Sequence, residues 1–203
     1  MPSGGPGYPG PPEFLAWGRS MIAFLRAIEA ACAWFGRIVG WLNLLLIFAV
    51  CIAVLMVQLR MNVLVEWPGN LLLLGPRMTM NGMIDLQWHL FAAITMLGGV
   101  YAMHTDGHVC VDFIAARFAE RTKQWVRLFG DIVFLVPFCA IMTFYAWRFT
   151  ASSFNSGEGS SYGGLMDTWI IKGVMPLGFG LLTVFGVARA LRGILELARR
   201  QEA

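Results

Sequence analysis

Residues 38–59 read IVGWLNLLLIFAVCIAVLMVQL, 22 residues between Arg37 and Arg60 without one Asp, Glu, Lys or Arg. A helix needs roughly 20 mostly apolar residues to cross a bilayer, so this stretch spans directly. Three more charge-free windows follow. Leu86–Thr105 holds 20 residues, and Ile132–Trp147 and Gly173–Ala188 hold 16 each. The shorter two span if the flanking Lys or Arg snorkels to the interface and Asp131 finds a protein partner or the headgroup region. The whole chain agrees: of 203 residues, 58% are hydrophobic and 13% charged, against about a quarter charged in soluble domains. The expected fold is an all-α integral membrane protein with four transmembrane helices, at about 38–59, 86–105, 131–148 and 173–190.

The basic residues orient it. With the N-terminus inside, eleven Lys or Arg fall on cytoplasmic segments, among them Arg19, Arg26, Arg37, Arg117, Lys123, Arg189 and Arg192. Four fall outside: Arg60, Arg77, Arg148 and Lys172. Such a bias places both termini in the cytoplasm. No cleavable leader is visible, so the first span acts as an uncleaved signal anchor. The net charge of +3 then reports topology, and no basic patch with interleaved aromatics points to nucleic acid. Cys32, Cys51, Cys110 and Cys139 are scattered, lie in lipid or face the reducing side, and are expected to be free thiols.

Outside the spans the chain divides further. Residues 1–13 are Pro/Gly-rich and expected to be disordered. Residues 14–37 carry an apolar stripe through Phe14, Trp17, Met21, Phe24/Leu25, Ile28, Ala31/Cys32 and Phe35, the pattern of an amphipathic interfacial helix. Residues 60–85 form an outer loop whose Leu71–Leu74 are too few to span and dip into the interface or touch a partner. After span two, Ile114, Phe118, Trp125 and Phe129 mark an arm along the cytoplasmic surface that turns up into span three. Pro137 and Pro176 are placed to kink spans three and four. Residues 194–203 form a cytoplasmic tail that closes the 38–193 membrane domain.

The stretch HTDGHVCVDF, residues 104–113, gathers two of the three histidines with two aspartates and a cysteine. A structural zinc site wants four tight ligands, and Gly107 with the change from span to arm argues against a preformed cage. His89 and His104 lie roughly 22 Å apart on one helix, and spans one, three and four carry no histidine, so haem held by two histidines within the chain is excluded. Thiol oxidoreduction lacks paired cysteines on the oxidising side. No acid or base stands at mid-depth for a transport path of its own. The residues call for neither cofactor nor metal; they describe a companion to another membrane protein.

The motif residues carry a resemblance. Asp106, Gly107, His108, Val109, Val111 and Asp112 match a DGHV-x-VD pattern. Asp85–Phe91 match the opening of span two. Gly157, Glu158, Ser160, Gly163, Gly164, Leu165, Trp169, Lys172 and Pro176–Phe179 match the outer loop and the start of span four. Together they resemble the small membrane (DctQ-type) subunit of tripartite ATP-independent periplasmic (TRAP) transporters, over roughly residues 38–190. Cys110 stands where that family commonly has Arg, and the 60–85 loop is longer than the family's.

The resemblance implies an accessory subunit in a bacterial inner membrane, not an enzyme. Its partners would be membrane lipids, a large subunit that carries solute with sodium, and a periplasmic binding protein that delivers an organic acid or similar solute. Asp106, Gly107, His108, Asp112, Gly163, Gly164, Trp169, Lys172 and Pro176 are its expected structural or partner-facing positions. The alternative from another class is the membrane anchor of a redox enzyme, which a Soret band would reveal. For topology, a membrane-impermeant thiol reagent applied outside should label a cysteine placed at Ser161 and spare one at Thr122; the opposite pattern rejects the orientation.

Overall fold

The computed structural model describes residues 12–105, 118–160 and 164–199. The described chain runs through α1 (Pro12–Val39), α2 (Leu42–Gln58), β1 (Val63–Leu71), β2 (Gly75–Thr79), α3 (Met80–His104), α4 (Glu120–Gly130), a π-helical turn (Asp131–Leu135), α5 (Val136–Ser156) and α6 (Trp169–Arg199). Four stretches are long and apolar enough to cross a membrane: Ser20–Gln58, Met80–His104, Arg121–Ser156 and Trp169–Ala198. The all-α membrane architecture holds, with one two-stranded hairpin added.

The hairpin occupies the expected outer loop. Val63 pairs with Thr79, Val65 with Met78 and Glu66 with Arg77, so opposite charges face each other across the strands. Leu73, in the left-handed region, and Gly75 make the turn, and Trp67 Nε1 donates to Gly75 O at 2.7 Å. Leu64, Trp67 and Leu74 pack on a cluster of Ala49, Ala53, Met78, Met83 and Leu90. The leucine run thus closes a turn, with Leu74 on the α2–α3 cluster and Leu71 and Leu72 exposed. Strand β2 leads straight into α3, because the Thr79 hydroxyl caps the helix by accepting from Gly82 N at 3.1 Å. The helix therefore begins before Asp85, ahead of the charge-free window.

Helix α6 is central, packing against α1, α3, α4, the π-turn and α5. Its pairing with α5 is antiparallel and built on small residues. A Cβ on Gly173 would meet the Thr150 methyl at 3.7 Å, and one on Gly180 would meet the Thr143 methyl at 3.8 Å. Both hydroxyls bond back to their own helix, Thr143 to Cys139 O at 2.7 Å and Thr150 to Ala146 O at 2.9 Å. The methyls are left to face α6, and each polar group is satisfied within its helix, as hydrocarbon demands. Cys139, Ala146 and Ser153, buried on the same helix, extend this seam at a seven-residue repeat. Such small-residue seams let membrane helices approach closely.

Helix α3 approaches α6 closest at Gly178, where a Cβ would come within 2.7 Å of Met96 O. The buried face of α1 is Ile22, Leu25, Glu29, Cys32, Ala33, Gly36 and Val39, whereas Phe24, Trp34 and Phe35 point outward. The helical period is the expected one, but the face is rotated from the aromatic stripe. In lipid an outward aromatic costs nothing, while the inward face needs small residues and the polar groups that pair with α6.

The arm does not turn. Gly130 and Asp131 are both helical, so α4, the π-turn and α5 run on as one rod. Trp125 and Phe129 lie outward and Leu128 inward. The one irregularity is the π-turn, in which Val136 N donates to Asp131 O five residues back, just ahead of Pro137, which has no N–H to give.

Gly178→Ala should force α3 and α6 apart and lower stability by about 1–3 kcal/mol. Gly193→Ala, whose Cβ would meet Leu128 at 3.5 Å, should be near neutral. Denaturant unfolding in detergent micelles measures both, and equal effects would refute the close approach.

Candidate functional site

Polar side chains gather at two levels of the bundle. Asp106, Gly107, His108, Asp112 and Gly163, named from the sequence, lie outside the described residues, as does Cys110. Gly164, Trp169, Lys172 and Pro176 are described, and the first three sit together at the hairpin end.

There, the loop between α5 and α6 is pinned through Leu165, whose side chain is 1% exposed. Its N–H donates to Asp85 Oδ2 at 3.2 Å, and its carbonyl accepts from Ser160 N at 3.0 Å. A Cβ on Gly164 would lie 1.9 Å from Asp85 Oδ2, so only glycine lets the loop reach that carboxylate. The next residue, Met166, donates from N to Leu73 O at 2.9 Å, docking the hairpin turn onto the loop. Asp85 carries two functions at once, because its own carbonyl also accepts from His89 Nδ1 at 2.7 Å. That bond sets the His89 tautomer with the proton on Nδ1, and the buried Nε2 has no partner within the described chain.

Glu158 closes the same loop. Its carboxylate accepts from Lys172 Nζ and, at 2.7 Å, from Ser153 Oγ, and its carbonyl accepts from Thr168 N at 3.1 Å and Thr168 Oγ1 at 2.9 Å. The Lys172 and Ser153 hydrogen bonds hold the Glu158 carboxyl below the ordinary glutamate range. Lys172 also lies over the Phe149 ring at 4.4 Å, and Trp169 packs edge-on against Phe154 at 5.1 Å. Both side chains are engaged inside the chain. Pro176 is buried within α6.

At the other end, α6 carries a ladder of ion pairs. Arg189 grips Asp131 with two hydrogen bonds, one of them Nε to Oδ2 at 2.8 Å, and its guanidinium sits 5.5 Å from the Phe185 ring centre. Arg192 Nε donates to Glu29 Oε1 at 2.9 Å. Arg26 reaches Glu196 at 3.1 Å, in a more exposed pair. Asp131 is 5% exposed and Glu29 4%. The sequence leaves Asp131 in need of a partner, and Arg189 is that partner. Glu29 carries no sequence reading, although its position three and seven residues from Arg26 and Ile22 puts it on the helix face that α6 covers.

Arg189 lies 17 residues beyond Lys172, about 26 Å along a helix at 1.5 Å per residue. The two charged layers are thus separated by about one hydrocarbon thickness. Among the described residues, no three His, Cys, Asp or Glu converge as a metal site would require.

Among the described residues, the ion pairs of this helical membrane bundle gather at its two rims. A family model described as "Tripartite ATP-independent periplasmic transporters, DctQ component" matches residues 76–196, from β2 to the ladder on α6. The chain belongs to this family: it is a TRAP transporter membrane component of the bacterial inner membrane and not an enzyme. No curated protein and no solved structure matches the chain.

Asp131→Asn strands the Arg189 guanidinium and should cost about 3–5 kcal/mol. Replacing both partners, Asp131→Leu with Arg189→Met, should restore most of that loss. Unfolding of the two variants in micelles decides the matter: if the double variant is less stable than the single one, the pair is not the joint described here.

Proposed function

We propose that this chain is the accessory small permease subunit that packs against the large TRAP membrane subunit and stabilises it in the bilayer. In this reading the large subunit performs sodium-coupled uptake, and a periplasmic binding protein delivers an organic acid or similar solute to it. The observation that carries the reading is the confinement of charge to the two rims. Between Lys172 and Arg189, α6 has no Asp, Glu, Lys, Arg or His, and neither does α2. Intramembrane ionisable groups mark solute and ion paths, and a chain without them at mid-depth serves another subunit's path.

Both termini are cytoplasmic in this reading, so the hairpin and the Glu158–Lys172 clamp face the periplasm and the arginine ladder the cytoplasm. The basic asymmetry supports it. In this reading Asp106, Gly107, His108 and Asp112, which match the family motif in sequence, and Gly163 serve assembly with the large subunit. Gly164, Trp169 and Lys172 give the periplasmic rim its shape.

Reconstituted with the large subunit and the binding protein in liposomes, the chain should support sodium-driven uptake that stops when it is left out. His108→Ala and Asp112→Ala should lower the yield of the assembled membrane complex, with no stoichiometric transition metal in the purified chain. Solute uptake by this chain alone would overturn the accessory role. One zinc or iron per chain, lost in His108→Ala, would restore a metal site.

A further inference from the structure

Arg148 lies within the membrane-crossing stretch Arg121–Ser156, on the exposed side of α5. Among the described residues no Asp or Glu pairs with it, whereas Lys172, Arg189 and Arg192 on α6 each hold one. We propose, on the accessory reading above, that Arg148 and the apolar face around it dock a spanning helix of the large subunit, one that brings an Asp or Glu to the guanidinium.

The arginine starts at the inner edge of the Lys172 rim and reaches away from it. Thr150 is level with Gly173 across the seam, and Arg148 is two residues further in, about 3 Å along the helix. Side chains on a helix lean toward its N-terminus, here the Asp131 end. The guanidinium accordingly lies 5.9 Å from the centre of the Phe144 ring, on the residue one turn further in. An arginine serving a lipid phosphate would snorkel the other way, past Ser156 to the headgroups.

The surroundings call for a carboxylate. Phe138, Ile141, Tyr145 and Arg148 recur at three- and four-residue steps on the side of α5 opposite the seam, and Phe144 adjoins them. The four apolar side chains are exposed. Lipid tails would cover them but leave the charge without a partner, and an ionised group facing hydrocarbon is costly. A ring face holds a cation more weakly than a carboxylate does. A carboxylate on a neighbouring helix neutralises the guanidinium and accepts two of its N–H groups. Polar contacts of this kind hold membrane helices together.

The test uses the full chain co-expressed with the large subunit and purified as the membrane complex. Arg148→Leu should lower the yield of that complex about tenfold. The isolated Arg148→Leu chain should melt in micelles as the wild type does, because the arginine has no ion pair within the described chain. A photo-crosslinking amino acid in place of Ile141, on the same face, should capture the large subunit. An unchanged yield with Arg148→Leu overturns the proposal and leaves the accessory role standing. A crosslink from position 141 to phospholipid alone does the same, and makes the partner a headgroup. An isolated Arg148→Leu chain that melts earlier assigns the residue to the subunit's own fold and also overturns the proposal. A wild-type chain that forms no complex with the large subunit overturns both the docking face and the accessory role.

Discussion

Asp131 has to lie at the edge of the hydrocarbon, because the rod from Glu120 to Ser156 carries it there, and a carboxylate at that depth needs a cation with matching geometry. Arg189 supplies it with two hydrogen bonds, and much of the bundle follows from that contact. The pair sets the axial register between the α4–α5 rod and α6, and the seam continues from it: Gly186 against Leu135 and Val136, Gly180 against Thr143, Gly173 against Thr150. It also gives the π-turn a structural reason. The five-residue bond from Val136 to Asp131 adds one residue ahead of Pro137, and with it Asp131 falls on the face that α6 covers. One turn further along α6, Arg192 holds Glu29 and brings α1 into the same register.

The bundle is inverted relative to a soluble one. Phe134 in the π-turn and Phe138, Ile141, Tyr145 and Trp147 on α5 face outward, while the inward positions are Cys139, Ala146 and Ser153. Water would penalise that arrangement, but lipid is as apolar as the side chains it meets and rewards close backbone approach instead. The outward aromatics give the bundle a broad apolar surface, which lipid or a partner subunit covers equally well on hydrophobic grounds. Recognition of a partner therefore has to come from shape or from the polar rims.

The spanning helices were legible in the sequence because charge-free windows are a direct consequence of bilayer thickness, and the family was legible from ordered motifs spread over most of the chain. Three features were not. The hairpin was hidden because the leucine run at 71–74 drew the eye, although Val63, Val65 and Trp67 alternate as a strand does and Gly75–Pro76 signals a turn. The inward face of α1 carried no reading, because it is set by what α6 presents to it, while the aromatics Phe24 and Phe35 lie away from the bundle. Glu29 and Arg192 were not paired because 163 residues separate them, and no local pattern joins positions so far apart. The small-residue repeat of Gly173 and Gly180 was present in the sequence and becomes readable once α6 is known to be central.

The two rims are held by different physics, and this shapes how the subunit responds to its surroundings. The hairpin rim rests on the Met166 to Leu73 backbone hydrogen bond and the Leu165 N–H on the Asp85 carboxylate, which hold it beside the more exposed Glu158–Lys172 ion pair. The opposite rim rests on ion pairs of graded depth. Arg26–Glu196 is exposed and contributes little, since about 8 Å of screening length at physiological salt reduces such contacts. Glu29–Arg192 and Asp131–Arg189 have buried carboxylates that ions in solution do not reach. Ionic strength therefore acts on the outermost pair and leaves the register of α1, α5 and α6 intact. The frame behind Arg26 stays fixed by the two buried pairs.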